Sequence, residues 1–493
     1  MINFDKVQNR HIILIYLWKG NSMGIKSNGY VDIIALHPGV TGSNFLCLVH
    51  FPYGPMVRFA VDCGLFQEQK YRHLNTTFLF EPKKLDFALV THNHIDHTGR
   101  LPLLSKEQFD KKIYMTKPTL ELIGLAMDNN CKVLNATAKR KNESPLYSEY
   151  NVSRVKRLFE GVEFEQTISV HENIDVTFYK NGHLVGASQI LVKVKFEGQE
   201  DINLLFTGDY NSKNVFFDVT ELPDEVLNSN INLICEATYG NMNSDEVKVC
   251  FENNVLKAIS EEKTIVTLGF SLGRSQEILY KLKQMQLFGK LSKDVCIYYD
   301  GKLSQDYTQK YLKSDLGIKP EMRDFLPANL IYVNKENRPS VLISEKTKII
   351  LTSSGMGTYG PAPLYISKYI TTEQALIHFT GYQAEGTLGA ALKNTAKGDM
   401  VSVAGLQKIK QADVEYTSEW SSHAKADELI QHINKFKSLK SVLFNHGEEI
   451  ATNALSKKAI TQTNAKEVGI LGRDYYYRIG PYGIIKTLSS QFF

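Results

Sequence analysis

The sequence predicts an α/β fold in which a sheet-rich region with interposed helices is followed by a second α/β region with a largely parallel sheet. Short strand-like runs with interposed helices fill the first 240 residues. After Gly240, strands such as TIVTLGF and KIILTSS alternate with helical segments, a rhythm typical of βαβ units and a largely parallel sheet. Near Val414 the pattern returns to one helix and the strand SVLFNHG. The chain therefore leaves its first domain and comes back to it.

The first region opens as a β-hairpin. FLCLVHF and MVRFAVDCG flank Tyr53, Gly54 and Pro55, which form a turn signal between two β-rich runs. Apolar residues at near-helical spacing predict a helix over residues 118–130, and similar patterns predict helices over 246–261, 274–288 and 424–437. Further strands are predicted at FALVTH, KIYMT, VTFYK, QILVKVKF, INLLFTGD and INLICEATYG.

Composition sets bounds on function. The 493 residues, 43% of them hydrophobic, are enough for two or three domains with packed cores. With 57 basic and 53 acidic residues the net charge is +4, which is too small to predict nucleic-acid binding from composition alone. The most basic stretch covers residues 132–157. We interpret it as a solvated helix face, because charge runs usually have that role.

The six cysteines predict an intracellular, cytoplasmic protein, since they are scattered without CxxC pairs and most lie in apolar runs. No apolar stretch approaches the roughly 20 residues that span a bilayer. The run HIILIYLW at residues 11–18 is too short. We therefore expect no membrane partner.

The strongest chemical signal is THNHIDH at residues 91–97, directly after the apolar strand FALV. Its donors are His92, His94, Asp96 and His97, and imidazole with carboxylate at this density is what Zn²⁺ requires. A lone histidine is more often a structural group. We give that interpretation to His11, His50, His73, His171, His378 and His432.

This HxHxDH motif resembles the metal-binding signature of the metallo-β-lactamase superfamily. Asp62 in VDCG, His183 in NGHLVGAS and Asp209 in FTGDY resemble the other motifs of that superfamily and follow in the expected order. Each of these residues ends or follows an apolar strand. All of them are therefore expected on one rim of a β-sandwich.

Three later motifs resemble those of the β-CASP nucleases: Glu236 in CEATYG, His423 in WSSHAKADEL and His446 in LFNHGE. GFSLGRSQEIL, TSSGMGTYGP and FTGYQAEGTLG are similar to conserved segments of the inserted β-CASP domain. The resemblance covers roughly residues 30–447 and extends to the endonucleases of mRNA 3′-end processing and their prokaryotic relatives. It implies a metallo-β-lactamase αββα sandwich with an inserted β-CASP α/β domain.

The resemblance also implies an RNA phosphodiesterase that uses two zinc ions. One zinc would be held by His92, His94 and His183. The other would be held by Asp96, His97 and His446, with Asp209 as the bridging ligand. Two cations close together stabilise the attacking and leaving oxygens of a phosphodiester and activate a water molecule. Asp62 would orient the ligands from behind.

The leaving alkoxide needs a proton, and histidine suits that task near neutral pH. The resemblance assigns this role to His423, with Glu236 as its partner. The Gly-rich segments 353–360 and 381–389 would present backbone amides to RNA phosphates. The sequence departs from the family pattern at Lys425, where many relatives carry Asp, and at Ala390, where many carry Arg.

The domain limits that we predict are 28–240 for the first part of the metallo-β-lactamase domain, 241–413 for the β-CASP domain and 414–493 for the return segment. Residues 1–27 form an N-terminal extension that has no counterpart in the family. Our hypothesis is that Met23 is the native start. A chain beginning there is expected to fold and cut RNA like the full sequence.

Other functions stay open. A DNA-processing relative is one alternative, but such relatives usually carry an apolar residue in place of His446. A non-catalytic scaffold subunit would have lost several ligands, and a small-molecule hydrolase would lack the inserted domain. The sequence does not distinguish an endonuclease from a 5′–3′ exonuclease. It also leaves open whether the chain forms a homodimer or joins an RNA-processing complex.

Overall fold

The computed structural model describes residues 28–36, 41–384, 386–472 and 475–489. The predicted N-terminal extension, His11 and the Met23 start lie outside these residues. The first domain consists of two β-sheets packed face to face, and helices cover the outer face of each sheet. This is the predicted αββα sandwich, and a second α/β domain is inserted into it.

The first sheet contains β1 (Tyr30–Ala35), β2 (Phe45–His50), β3 (Val57–Val61), β4 (Phe87–Leu89), β5 (Ile113–Thr116), β6 (Phe159–Val162), β22 (Tyr475–Gly480) and β23 (Gly483–Ser489). Its order within the described residues is β23-β22-β1-β2-β3-β4-β5-β6. The pairs from β23 to β3 are antiparallel, and those from β3 to β6 are parallel.

The second sheet contains β7 (Thr167–His171), β8 (Ile174–Lys180), β9 (Ser188–Val194), β10 (Ile202–Phe206), β11 (Asn230–Glu236), β20 (Ser438–Asn445) and β21 (Glu467–Ile470). Its order is β21-β20-β11-β10-β9-β8-β7. β10, β11, β20 and β21 run parallel, so their carboxyl ends share one rim of the sheet. β20 belongs to the return segment, so the chain completes this sheet only after the inserted domain.

The core of the sandwich lies between the inner faces of the two sheets, where Val31, Phe59, Phe178, Ile190 and Leu204 are buried. The helices of this domain are α1 (Ile95–Thr98), α2 (Leu101–Lys106), α3 (Lys117–Lys141), α4 (Glu149–Lys156), α5 (Asp224–Asn228), α12 (Ala426–Ile433) and α13 (Glu449–Gln462). Short 3₁₀ turns occur at Gln69–Thr76, Pro82–Lys84, Ser244–Glu246 and Pro320–Arg323.

The inserted domain is built on a parallel sheet of β12 (Thr264–Leu268), β13 (Cys296–Asp300), β14 (Leu330–Val333), β15 (Lys348–Thr352), β16 (Ala375–Phe379) and β19 (Asp413–Tyr416), in the order β14-β13-β15-β12-β16-β19. Its helices are α6 (Phe251–Ser260), α7 (Arg274–Leu287), α8 (Lys302–Lys313), α9 (Arg338–Ile343), α10 (Ala362–Tyr369) and α11 (Leu388–Asn394). A hairpin of β17 (Met400–Val403) and β18 (Leu406–Ile409) precedes β19. β19 pairs with β16 of this sheet but extends past residue 413, the expected end of the inserted domain. The three domain limits stay a prediction.

Three helices differ from their predicted bounds. The helix predicted over residues 424–437 is shorter and covers Ala426–Ile433. α3 continues to Lys141, well beyond residue 130, and ends where Asn142 adopts a left-handed conformation. Its basic residues Lys132, Lys139 and Arg140 are exposed, as a solvated helix face requires. The helix predicted from residue 246 begins instead at Phe251, because the Glu419 carboxylate accepts hydrogen bonds from backbone N–H groups at its start.

Most of the cysteines are buried, as their positions in apolar runs predict. Cys47, Cys63, Cys131 and Cys235 are buried, and all six cysteines are free thiols. Within the described ranges, no helix combines the length and the apolar character needed to cross a membrane.

Candidate metal centre

The candidate ligands are carried by loops that leave the carboxyl ends of strands. Residues 91–97 follow β4, Asp209 follows β10, and His446 follows β20. His183 lies in the loop between β8 and β9. Neighbouring parallel strands end at the same rim, so residues far apart in sequence meet at the top of the sandwich.

The first donor group consists of His92, His94, His183 and Asp209, whose ligand atoms all lie within 4.8 Å of one another. His94 Nδ1 is 3.1 Å from His92 Nε2 and 3.0 Å from His183 Nε2. The Asp209 Oδ2 atom lies 3.4 Å from His92 Nε2 and 3.5 Å from His183 Nε2. Three ring nitrogens therefore face one point, as they do around a shared cation.

The second donor group consists of Asp96, His97 and His446. His97 Nε2 and His446 Nε2 are 3.0 Å apart, and they lie 3.1 and 3.0 Å from Asp209 Oδ1. Asp96 Oδ2 is 3.7 Å from His446 Nε2. This group faces the opposite carboxylate oxygen of Asp209 from the first group.

Asp209 thus lies between the two donor groups and offers one oxygen to each. It is only 2% exposed, and its Oδ1 atom has no hydrogen-bond donor. A buried carboxylate oxygen without a partner is unfavourable unless a cation satisfies it. Each group, with its Asp209 oxygen, supplies four N and O donors, the number and type that Zn²⁺ prefers. The residues fit two such cations.

In the first group, burial keeps the imidazoles neutral. Burial and the neighbouring His97 lower the pKa of His92, and burial lowers the pKa of His183 well below its ordinary value. Burial and His92 lower the pKa of His94 to about 3. A metal ligand must be deprotonated, so these rings are in the binding form at neutral pH.

In the second group, negative charge outweighs burial. Burial opposes protonation of His97, but Asp209 and Asp62 raise its pKa well above the ordinary value. Burial likewise opposes protonation of His446, whereas Asp209 and Asp96 raise its pKa. The carboxylates draw positive charge onto this group, and a divalent cation supplies that charge when it displaces the protons.

Asp62 orients His97 from behind. It accepts a 2.7 Å hydrogen bond from His97 Nδ1, and also bonds from the backbone N–H (2.8 Å) and the hydroxyl group (2.8 Å) of Thr91. Asp62 and His446 have backbone φ values of 59° and 54°, which residues other than glycine rarely adopt. Such strained positions concentrate at functional sites.

Two further orienting contacts were not predicted from the sequence. His183 Nδ1 donates to the Ser422 carbonyl (2.9 Å), which leaves Nε2 as the free lone pair. His446 Nδ1 lies 2.9 Å from the Thr238 hydroxyl group. Thr238 stands two residues after Glu236 in the CEATYG motif, but nothing in the sequence shows which ligand it contacts.

The Glu236 and His423 pair lies at the rim beside the first donor group. His423 Nδ1 is 3.0 and 2.9 Å from the two Glu236 oxygens, so it donates to this carboxylate. The opposite ring nitrogen, Nε2, is 3.8 Å from Asp209 Oδ2. Glu236 is fixed in turn by the backbone N–H groups of Tyr210 (2.5 Å) and Thr238 (3.3 Å). His423 Nε2 is therefore aimed at the metal centre without belonging to either donor group.

Lys425 lies behind this pair. It is 2% exposed, its Nζ atom sits 3.7 Å from the centre of the Tyr239 ring, and it donates to the His423 carbonyl (3.4 Å). Burial lowers the pKa of Lys425 to about 8, although Glu428 and Glu236 oppose that shift. A lysine in place of the acidic residue of many relatives thus puts a buried cation next to the Glu236 and His423 pair.

The histidines interpreted as structural lie apart from the centre. Within the described residues, His50, His73, His171, His378 and His432 take no part in either donor group. His378 Nε2 contacts the Asn254 side-chain amide (3.2 Å), and His432 stacks on Tyr210. Burial lowers the pKa of each of these two rings to about 3, so both are neutral.

The Gly-rich segments meet the rim from the inserted domain. Residues 353–360 follow β15 and residues 381–389 follow β16, two strands that both pair with β12. The side chain of Gln383 joins the two segments by donating to the Gly355 and Gly381 carbonyls (3.2 and 2.9 Å).

Metal-donor groups at the rim of an αββα sandwich define the class of protein, a metallo-hydrolase with the metallo-β-lactamase fold. Three family models match the chain. The metallo-β-lactamase superfamily matches residues 61–165, the Beta-Casp domain matches residues 275–392, and the Zn-dependent metallo-hydrolase RNA specificity domain matches residues 409–470. The chain belongs to the β-CASP family of the metallo-β-lactamase superfamily, as the motifs predicted.

Curated relatives extend over most of the chain. An RNase J-like protein of Methanocaldococcus jannaschii is 29% identical, over 79% of this chain and 87% of that protein. Ribonuclease TTHA0252 of Thermus thermophilus is 26% identical, over 81% and 90% of the two chains. Transcription termination factor FttA of Methanosarcina mazei is 26% identical, over 83% of this chain and 67% of that factor.

Proposed function

We propose that this protein is a zinc-dependent ribonuclease that hydrolyses RNA phosphodiester bonds with an activated water molecule. The observation that carries the proposal is the position of Asp209, which offers one oxygen to each of two donor groups while His423 Nε2 points at the same carboxylate. Metal binding and proton transfer are thereby combined on one rim.

The first zinc would be held by His92, His94 and His183, and the second by Asp96, His97 and His446, with Asp209 shared between them. Two bound zinc ions supply an activated water and neutralise charge on the phosphoryl oxygens. Asp62 holds His97 in one orientation, and the Ser422 carbonyl does the same for His183. These partners keep the nitrogen lone pairs directed at the centre.

His423 would protonate the leaving oxygen. Its Nδ1–H is bound to Glu236, so Nε2 is the atom that carries and gives up a proton. The Glu236 carboxylate fixes the orientation of the ring, because both of its oxygens lie within hydrogen-bond distance of Nδ1. Glu236 is held in place by two backbone N–H groups, so it does not swing away when His423 changes charge.

RNA is the proposed substrate because the relatives matched over most of their length are named as ribonucleases, and because residues 409–470 match an RNA specificity domain. The termination factors are matched over a smaller share of their length. A non-catalytic scaffold role is disfavoured, since both donor groups keep their donors. His446 lies in the second group, which favours RNA over DNA on the family pattern.

Cleavage assays test the substrate. RNA labelled at its 5′ or 3′ end, with the 5′ end blocked or free, is incubated with the pure protein, and the same sequence in DNA serves as control. We expect the RNA to be cleaved. Whether the 5′-labelled or the 3′-labelled RNA is shortened first distinguishes internal cutting from 5′–3′ trimming. Cutting of DNA at the rate of RNA would contradict the proposal.

Metal analysis tests the centre. We expect about two zinc ions per chain, since the seven candidate ligands form two donor groups around Asp209. Asp209→Asn should lower the zinc content and abolish cleavage while the far-UV circular dichroism spectrum is unchanged. Asp218→Asn is the matched control, because Asp218 is an exposed carboxylate that pairs with Lys319. Activity in a wild-type sample with no bound transition metal would overturn the mechanism.

A further inference from the structure

Tyr382 is an aromatic residue of the inserted domain that reaches the rim of the sandwich. It lies in the loop after β16, its side chain is 39% exposed, and its hydroxyl group donates a 2.6 Å hydrogen bond to Glu448 Oε1. Glu448 stands two residues after His446 and makes no side-chain cap for α13. The Glu448 carboxylate therefore holds the tyrosine hydroxyl group only two residues along the chain from His446, a member of the second donor group.

The backbone on both sides of Tyr382 is fixed. The Thr380 hydroxyl donates to the Leu268 carbonyl (2.7 Å), and the Arg274 guanidinium donates to the Thr380 carbonyl. After Tyr382, the Gln383 amide bonds two glycine carbonyls. The ring is thus held by its backbone and by its hydroxyl group, so little conformational freedom remains to be lost when something binds to its face.

The surroundings of Tyr382 carry both signs of charge, because the Glu448 carboxylate accepts from its hydroxyl group and the Arg274 guanidinium donates to the Thr380 carbonyl. Burial and the carboxylates of Glu448 and Glu68 raise the pKa of Tyr382. Glu68 also interacts electrostatically with Asp96 and His446, two members of the second donor group. The face of the Tyr382 ring carries no formal charge and offers no hydrogen-bond donor to a phosphate. An uncharged nucleobase is the part of a nucleotide that such a surface accepts.

We propose that the Tyr382 ring is a stacking platform for the nucleobase next to the scissile phosphate, so that the enzyme requires an unpaired nucleotide at this position. The inference rests on the proposed ribonuclease function and deepens it. Single-stranded nucleic acid is commonly held by aromatic rings on which bases stack, without preference for one base. A base within a duplex offers no free face to such a ring.

Tyr359 provides a matched control. It is another exposed tyrosine of the inserted domain, at 52% exposure, and its hydroxyl group also contacts the first domain. Its partner is Arg72 Nη2, at 3.4 Å, within the Gln69–Thr76 turn. A cation at this place attracts phosphates, so Tyr359 is not expected to select for a base beside the cut.

The test uses a short RNA with one cleavage site and a version of it with an abasic ribose next to that site. Stacking on an aromatic side chain contributes on the order of 1–3 kcal/mol per base, which corresponds to about 5- to 150-fold. The abasic RNA should lower kcat/KM of the wild type within that range. Tyr382→Leu should lower kcat/KM by a similar factor on the normal RNA. On the abasic RNA it should cause little further loss, because the substitution and the missing base remove the same contact.

Tyr382→Phe keeps the ring and should remain within about threefold of the wild type, since stacking needs only the π-face. Tyr359→Leu should lose the same factor as the wild type on the abasic RNA. The affinity for uncut RNA should show the same non-additive effect of Tyr382→Leu and the abasic ribose. It is measured by anisotropy in proteins that also carry His423→Ala. Zinc content and circular dichroism establish that each variant is folded.

The proposal is overturned if Tyr382→Leu cuts both RNAs like the wild type. It is also overturned if the loss of kcat/KM caused by Tyr382→Leu and the loss caused by the abasic ribose multiply. It is also overturned if Tyr359→Leu shows the same coupling as Tyr382→Leu. Failure of the ribonuclease assignment looks different, because the wild type would then cut neither RNA.

Discussion

At the scale of single residues, the chemistry of the centre depends on which atom each side chain turns inward. His94 presents Nδ1 to the first group, whereas His92 and His183 present Nε2. His97 and His423 each give Nδ1–H to a carboxylate and aim Nε2 at Asp209, yet only His97 belongs to a donor group. Under the proposed function, the candidate ligand His97 and the candidate proton donor His423 are therefore distinguished by position and not by residue type.

The separation predicts distinct defects. His423→Ala should retain its zinc but cut ordinary RNA at least about a hundredfold more slowly, because a general acid contributes on the order of 10² to 10⁴ in rate. A phosphorothiolate substrate should recover much of this loss, since its leaving group needs no proton. Rates on both substrates and elemental analysis measure this, with the exposed His73→Ala as control.

Glu236→Gln should be a milder form of the same defect. The double variant should be little slower than His423→Ala alone, because residues that act as a unit are not additive. Loss of zinc from His423→Ala, or equal slowing on both substrates, would mean that His423 is a ligand or a binding residue.

Lys425 gives a prediction for stability against pH. Its folded pKa of about 8 lies below the ordinary value of 10.5, so between these pH values the unfolded chain binds a proton that the folded chain does not. The stability of the wild type therefore rises with pH across this window, as the burial of the charge is relieved. Lys425→Met carries no such charge and should be the more stable protein at neutral pH.

The advantage of Lys425→Met should shrink by up to about 3 kcal/mol as the pH is raised from about 7 to about 10. Denaturant titrations at both pH values measure the difference. Lys213→Met is the control, since Lys213 is highly exposed, and its difference from the wild type should be equal at both pH values. A difference for Lys425→Met that does not change with pH would contradict the assignment.

At the scale of elements, the loop after β3 and the helix α1 support each other. Gly64 donates from its backbone N–H to the Ser43 carbonyl, and Ser43 donates to the Asp96 carbonyl (3.0 and 2.9 Å). A Cβ atom on Gly64 would lie 1.7 Å from the Asp96 carbonyl oxygen. The glycine of VDCG is therefore required by the close approach of the segment that carries Asp96, a candidate metal ligand.

Gly64→Ala should displace Asp96 and lower the zinc content, with loss of cleavage. Gly124→Ala, within α3, is the control, because the nearest atoms to its added Cβ are the end of the flexible Lys156 side chain at 3.7 Å. It should keep its zinc and gain up to about 1 kcal/mol in stability. A Gly64→Ala protein with full zinc content would show that the loop tolerates the shift.

At the scale of the whole molecule, the two domains share a hydrophobic core. Leu122 and Ala126 of α3 and Phe216 from the first domain are buried together with residues of α7 and α8. Phe216 packs edge-on against Tyr311 and Phe325 of the inserted domain, with ring centres 5.2 and 5.3 Å apart. A shared core of this kind couples the unfolding of one domain to that of the other.

Phe216→Ala should lower stability by about 3–5 kcal/mol, the usual range for a buried phenylalanine. Hydrogen exchange should show faster exchange in strands of both the sandwich and the inserted sheet. The exposed Phe288→Ala should change stability by less than about 0.5 kcal/mol. Faster exchange confined to one domain would argue against the coupling.

Much of the fold and the site was predictable because motif and strand occur together. HxHxDH directly after an apolar strand, with Asp62 at an earlier strand end and His183, Asp209 and His446 after later strands, predicts a metal centre at one rim. Helix limits were less predictable. The start of α6 depends on Glu419, which accepts a hydrogen bond from the backbone N–H of Phe251, 168 residues away. The local periodicity of the sequence does not indicate a contact between residues so far apart.

The sequence by itself determined the fold class, the family and the set of candidate donors, because strand periodicity and the order of the motifs are local properties of the chain. Only the tertiary structure decided that Ser422 and Thr238 orient the candidate ligands His183 and His446, and that Tyr382 reaches the rim from another domain. These are contacts between atoms far apart along the chain. They arise when β20 of the return segment pairs with β11, and the closing of the second sheet brings His446 to the centre.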